Sequence, residues 1–371
     1  MIEVRGRVQA LDRLRGLVVV LMALDHANYF VAQAHSTGEY WGGSLPVYPT
    51  VWAFLTRLVT HLAAPGFFFL MGVGMALFSQ KRSREGWSKT EIRRHFLLRG
   101  ALLILLQLLV VNQAWGLFSG GGGLTVYIGV LTALGGAMIV SAWLVDFRPA
   151  ILLILAVIPI IATELLTPSF DQWGHAFHPL LRLLLIPGGT QAFRVNYPLL
   201  PWLGVTLFGL AFGGWLIQAD KKAFHRALWI GVGALLVFVL LRLGNGFGNI
   251  RSRTAGGWTA FLNLVKYPPS LTFLLLTMGV NLIVLRLFYL SEESSRTSWD
   301  PLLVFGGSPL FFYTIHLFLY AGIGRLFAPR GISLSIMVLY WLLGLALLYP
   351  ACLGFRVWKG RQNSRSFIRL F

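Results

Sequence analysis

Apolar residues in this chain do not alternate with polar ones. They come in unbroken runs near 11–32, 51–79, 96–116, 124–145, 150–167, 196–217, 227–243, 268–289, 302–326 and 333–357. A helix needs roughly 20 apolar residues to cross a bilayer, and every run comes close to that length or exceeds it. Strands of a closed membrane barrel, the other spanning solution, would alternate apolar and polar positions. The pattern therefore predicts an all-α polytopic membrane protein, with about ten transmembrane helices in one bundle. The longest connections, 33–50, 168–195 and 244–267, are filled with Gly, Pro and aromatic residues rather than the content of a soluble domain. Residues 1–371 are accordingly expected to form a single transmembrane domain.

Composition agrees: 56% of residues are hydrophobic and 12% are charged, against about 25% charged in a soluble domain. A net charge of +18 would suggest nucleic acid in a soluble protein. Here the cations follow the positive-inside rule. With the N-terminus inside, the inner connections hold 21 of the 31 Lys and Arg residues, and the outer ones hold Arg182, Arg194, Arg251, Arg253, Lys266, Arg325 and Arg330. An even number of spans puts both termini in the cytoplasm. The expectation is a multi-pass protein of the inner (cytoplasmic) membrane that binds no nucleic acid, with a homodimer as a compatible assembly. The first run lacks a small-residue cleavage site and reads as a retained span. Cys352 stands alone and reads as packing. The glycines Gly120 to Gly123 lack the Lys-Ser/Thr of a phosphate loop.

An ionisable group inside a membrane segment is costly to desolvate and by default marks a functional position. The first run carries adjacent Asp25 and His26, about 21 to 23 Å beyond Leu11 at 1.5 Å per residue. The second run enters from the opposite side near Val51, with Arg57 about 9 Å and His61 about 15 Å deep. Four residues apart, these two share a helix face. In the ninth run, counted from Pro301, His316 again lies about 21 to 23 Å in. Asp25, His26, Arg57, His61 and His316 are thus expected to meet at one depth. His35, His175 and His178 fall in outer connections, and His95 and His225 lie near the inner surface, where solvated roles are expected. Asp171, His175 and His178 do not complete a defined ligand motif, so no metal is expected. Glu164 is a further candidate acid.

This inventory suits proton transfer. A neutral imidazole, His26 oriented by Asp25, takes a proton from a hydroxyl or amine as it attacks a carbonyl, and Arg57 or a second imidazole steadies the oxyanion. At the inner face, Arg13, Arg15 and the basic run ending at Arg99 suit the phosphates of an acyl-carrier nucleotide such as coenzyme A. The same Asp25-His26 pair also suits the proton relay of a secondary transporter, although the two halves of the chain show no inverted repeat.

Several blocks of the chain resemble the membrane acetyltransferases typified by heparan-alpha-glucosaminide N-acetyltransferase, and a bacterial group of that catalytic domain in particular. They are Leu11 to His26; Leu55-Thr56-Arg57 and Thr60-His61-Leu62-Ala63-Ala64-Pro65-Gly66; Tyr197-Pro198-Leu199-Leu200-Pro201-Trp202; Lys266-Tyr267-Pro268-Pro269-Ser270; and Gly307-Ser308-Pro309 through His316. Arg15 and His26, with ten residues between them, are also similar to a motif of the acyltransferase family three membrane enzymes, whose first-helix histidine is taken as catalytic. The resemblance implies a membrane acyltransferase with acetyl-coenzyme A as donor and His26 as first choice for the base. The leading expectation is transfer to a hydroxyl or amine of a sugar or glycolipid. The lysosomal enzyme's proposed catalytic histidine sits in a loop motif absent here, so its glucosamine acceptor does not carry over.

Overall fold

The structure, a computed structural model, describes residues 8–35, 38–42, 45–118, 126–190, 192–254, 256–294, 300–362 and 366. Arg5, Arg7, Arg296, Arg365, Arg369 and the glycine run Gly120 to Gly123 lie outside them. The helices are α1 (Gln9–Ala27), α2 (Val51–Thr60), α3 (Ala63–Arg84), α4 (Lys89–Leu106), α5 (Asn112–Phe118), α6 (Val130–Ser141), α7 (Pro149–Leu166) and α8 (Pro179–Leu184). They continue with α9 (Leu199–Gln218), α10 (Asp220–Gly244), α11 (Trp258–Leu262), α12 (Leu271–Ser294), α13 (Pro301–Gly307), α14 (Pro309–Phe327) and α15 (Leu334–Arg361). Three short strands, β1 (Val126–Ile128), β2 (Gly188–Gly189) and β3 (Phe193–Val195), form a small sheet in the order β1-β3-β2.

Among the described residues nine helical stretches are long and apolar enough to cross a membrane. The protein is an all-α, multi-pass membrane protein. The difference from ten even runs has local causes. The run 124–145 becomes a strand followed by the twelve-residue α6. The run 302–326 breaks at Ser308, because Pro309 lacks an N–H and pushes the preceding residue out of the helical region; Ser308 sits at φ −139° and ψ 51°. The run 51–79 breaks at His61-Leu62, where the backbone tightens into i→i−3 bonds to Leu58 and Val59. Pro65 has no N–H for the His61 carbonyl, and the side chain of Asn281 from α12 donates to the Leu62 carbonyl at 3.0 Å.

Buried position decides which helix can carry polar chemistry. The first span is 61% buried, whereas the spans of α7, α10 and α15 are 22% buried and face outward. α1 contacts α3, α12, α13, α14 and α15, so Asp25 and His26 sit on a central helix. Glycines let backbones touch where the packing is tightest. A Cβ on Gly72 of α3 would meet the Thr206 carbonyl of α9, and one on Gly209 would meet the Phe69 carbonyl. Gly209→Leu is therefore expected to cost at least the 1–3 kcal/mol of an overpacked core, read as a lower melting temperature in detergent; an unchanged melting point would show that α3 and α9 can separate freely.

Two ends of the bundle differ. Lys81, Arg82, Lys89, Arg93 and Arg226 mark a basic end. At the far end the connections are stitched together by backbone: Lys266 and Tyr267 donate to the Glu39 carbonyl at 2.9 and 3.0 Å, and Trp41 donates to the Tyr267 carbonyl at 2.9 Å. Arg242, buried, fixes the same region by donating to the carbonyls of Ala260, Phe261 and Asn263. Glu164 accepts from the backbone N–H groups of Ile250 and Leu271, which accounts for its position as a structural tie.

Candidate active site

The buried polar groups fall into two linked knots. In the first, His26 Nδ1 lies 2.7 Å from His316 Nε2, and His316 Nδ1 lies 2.9 Å from the Phe312 carbonyl. A carbonyl only accepts, so His316 Nδ1 carries a hydrogen. In neutral His316 the Nε2 is then bare and accepts from His26 Nδ1–H. That leaves the lone pair of neutral His26 on Nε2, which has no hydrogen bond among the described residues. Backbone geometry thus selects the tautomer of both rings. The helix widens into a π turn at Asn28–Ala32 just beyond His26, a feature that π segments share with many functional sites.

In the second knot, Asp25 Oδ1 accepts from Arg57 Nη1 at 2.6 Å and from Thr60 Oγ1 at 2.7 Å, and Arg57 Nη1 also donates to His35 Nε2 at 2.8 Å. Arg57 Nε donates to Glu39 Oε1 at 2.6 Å, and its Nη2 donates to Glu39 Oε2. His61 Nε2 donates to the same carboxylate at 3.1 Å, leaving its Nδ1 as the bare nitrogen. Glu39 is 0% exposed and Arg57 1%, so neither can be satisfied by water. Burial alone would push the Glu39 carboxyl up, but Arg57 and His61 outweigh it and hold it well below the usual range.

All five expected residues are therefore in one contiguous region, but three expectations about their roles change. Asp25 does not reach across to orient His26; it is bound by Arg57 and Thr60, and His26 is held by His316. Arg57 is not free to steady an oxyanion, because its Nε, Nη1 and Nη2 all face carboxylates. His35 is not a solvated loop residue: its side chain is 12% exposed and abuts Asp25 at 3.3 Å. Glu39 escaped the sequence reading, though it is the lone acid of the 33–50 connection, flanked by His35 and Tyr40, and that isolation is the available signal.

A chamber of about 300 Å³ lies one ring away from the histidine pair. Arg15, Arg99 and Lys359 line it, its body is apolar with Phe67, Met71 and Leu134, and Tyr313 lines it as well. The Tyr313 ring packs edge-on against His316 at 5.6 Å, and its hydroxyl makes no hydrogen bond among the described residues. Arg99 bears no ion pair there either. Arg13, by contrast, is engaged by Asp300 at 2.7 Å and Ser291 at 3.1 Å and ties the ends of α1, α12 and α13 together. On the far side His26 faces aromatic rings: Trp115 at 5.5 Å, with Tyr29 and Tyr127 behind it at 4.9 and 6.0 Å.

Compared with known proteins, residues 7–245 match the family described as heparan-alpha-glucosaminide N-acetyltransferase, catalytic. The matched stretch contains Asp25, His26, Glu39, Arg57, His61 and Arg99; Lys266, Tyr313 and His316 lie beyond it. No curated protein matches the chain.

Proposed function

The chain belongs to the heparan-alpha-glucosaminide N-acetyltransferase catalytic-domain family of membrane acetyltransferases, and from that membership we propose its reaction in detail. It moves an acyl group, acetyl in the simplest case, from coenzyme A to a hydroxyl or amine of a sugar or glycolipid, with residues 1–371 acting as one domain in the cytoplasmic membrane. The basic end faces the cytoplasm, as the positive-inside rule requires, so the donor enters there and the acceptor comes from the far end.

The lining of the chamber has the chemistry such a donor would need. Arg15 and Arg99, with Lys359, suit the phosphates of the nucleotide, and the apolar body suits the pantetheine arm that carries the activated carbonyl. His26 Nε2, bare by the tautomer argument, takes the proton of the acceptor O–H or N–H as that oxygen or nitrogen bonds to the acyl carbon. The carbon–sulfur bond breaks, and the imidazolium returns the proton to the leaving thiolate, so no net proton is gained or lost. His316 holds the transient charge of His26 through the 2.7 Å contact, itself anchored on the Phe312 carbonyl. Arg57, with its donors on Asp25 and Glu39, is a positioning residue. The oxyanion donor is then the Tyr313 hydroxyl, which is unengaged beside the pair; one such donor contributes about 10²- to 10³-fold.

The observation that carries this reading is the hydrogen-bonded imidazole pair one ring away from a basic-mouthed, apolar chamber. Purified protein in nanodiscs is expected to bind coenzyme A and to transfer label from radioactive acetyl-coenzyme A. Losing a charged phosphate contact costs about 1.5–3 kcal/mol. Arg15→Ala and Arg99→Ala should each weaken coenzyme A binding roughly 10- to 100-fold by that measure, with little change in the maximal transfer rate. Undiminished affinity in the double variant would remove the donor from this chamber.

A further inference from the structure

Cations at the far end of the bundle are out of place by the positive-inside rule, yet Arg194 and Arg251 both contact Tyr40, and Lys266 lies against the neighbouring Tyr267 ring. The Arg194 guanidinium lies 5.8 Å from the centre of the Tyr40 ring. Arg251 Nη1 donates to the Tyr40 carbonyl at 3.3 Å. Lys266 is next in sequence to Tyr267, whose ring packs against Tyr40 at 5.0 Å. Among the described residues none of the three cations has a carboxylate within ion-pairing distance. Glu39 and Asp25, the neighbouring acids, are both bound by Arg57.

The most telling of the three is Lys266. It is 3% exposed, and its ammonium has the Tyr267 ring at 5.2 Å. Buried charges are normally paired; Lys266 feels Asp25 and Glu39 only at a distance, with no carboxylate at ion-pairing range among the described residues. Burial, with Arg57 adding to it, lowers its pKa to about 8, so it titrates close to neutrality. The surroundings are built rather than accidental. Parallel pairing of β1 with β3 sets Tyr127 directly beside Arg194, and Asn196 links Tyr40 to Tyr127 by bonds of 2.7 and 3.0 Å. From Tyr127 the ring of Trp115 leads to His26.

We propose that Arg194, Arg251 and Lys266 form an anion site around Tyr40 that holds a phosphate group of the acceptor while Tyr127 and Trp115 guide its nucleophile toward His26. The inference rests on the acyl-transfer reading for the acceptor's fate, but the site itself is independent of it. A phosphate can come from a lipid headgroup or from a soluble sugar phosphate. The same end exposes Val47, Val51, Trp52 and Trp258, an apolar flank by which a membrane-anchored acceptor could enter sideways.

The test uses the full chain in phosphatidylcholine nanodiscs with two sets of probes. One arm compares glucosamine 6-phosphate with glucosamine in solution. The other compares retention of phosphatidylinositol and phosphatidylglycerol with that of phosphatidylcholine by native mass spectrometry. In one arm the phosphate-bearing anionic probe should bind at least tenfold better than its uncharged or zwitterionic counterpart, the preference should fall as salt is raised, and R194Q/R251Q should remove most of it. Arg194 is exposed and Arg251 half-buried with one hydrogen bond to the Tyr40 carbonyl, so this variant should lose little melting temperature; Lys266→Met is the harsher second variant. No preference in either arm, or a preference that survives the double variant, overturns the proposal. Coenzyme A affinity at the basic end is measured alongside: if it is absent in the wild type, the donor reading fails while the anion site is still judged on its own arms.

Discussion

His26→Gln is expected to lower acyl transfer by about 10²- to 10⁴-fold, the range for loss of a positioned general base, with donor affinity and thermal stability little changed. Glutamine is near the imidazole in length and can still donate an N–H to His316 Nε2, so the contact that spans α1 and α14 survives. What it lacks is a basic ring nitrogen that can take up the nucleophile's proton and return it. A loss confined to the turnover rate is thus the fingerprint of the base. A variant that transfers at the wild-type rate would assign the proton to another group, and one that fails to fold would make the pair structural. His316→Gln should cost less, because it removes the tautomer lock and charge sharing while leaving His26 in place. Reversal of that order would exchange the roles of the two rings.

Arg57→Leu is expected to be the most destabilising single change at the site, by about 3–5 kcal/mol, the cost of leaving a buried charge without its partner. Two carboxylates are affected at once, since Glu39 and Asp25 both accept from this guanidinium. The double variant Arg57→Leu with Glu39→Leu should be more stable than Arg57→Leu alone, because it removes the orphaned charge with its partner. Denaturation of the three proteins in the same detergent measures the coupling; additive effects would mean that Glu39 and Arg57 do not depend on each other. The pH dependence has a definite sign. The Glu39 carboxyl lies well below its ordinary 4.5 in the folded state, so its contribution is fully present above that ordinary value. It is lost as pH falls through the depressed one, and Glu39→Gln should flatten this acid limb.

Much of this buried polar cluster was legible in the sequence. The intramembrane Asp25, His26, Arg57, His61 and His316 stand out because lipid makes such residues expensive, and helical rise sets them at similar depths. Who bonds to whom was not legible. Adjacent Asp25 and His26 point about 100° apart on a helix of 3.6 residues per turn, so one meets Arg57 and the other His316, and the expected Asp25–His26 contact cannot form. Glu39 was hidden in a connection where an acid ordinarily reads as solvated. Only the stitching of its backbone to Lys266 and Tyr267 carries it into the bundle. Arg13 and Arg15 look equivalent in the sequence, but Arg13 turns to Asp300, 287 residues further on, while Arg15, paired with Asp12 at 2.5 Å, lines the chamber.

By itself, then, the amino-acid sequence determined that this is a bundle of membrane helices, which way its charge is biased, and which ionisable groups lie at bilayer depth. Each follows from local composition: transfer free energy acts on every residue wherever the rest of the chain lies. The tertiary structure alone decided the pairings, the tautomers, the burial of Glu39 and the separation of the Arg15–Arg99 chamber from the Arg194–Arg251 end. These depend on contacts between residues hundreds of positions apart, and the direction in which a side chain points is set by the helix packed against it.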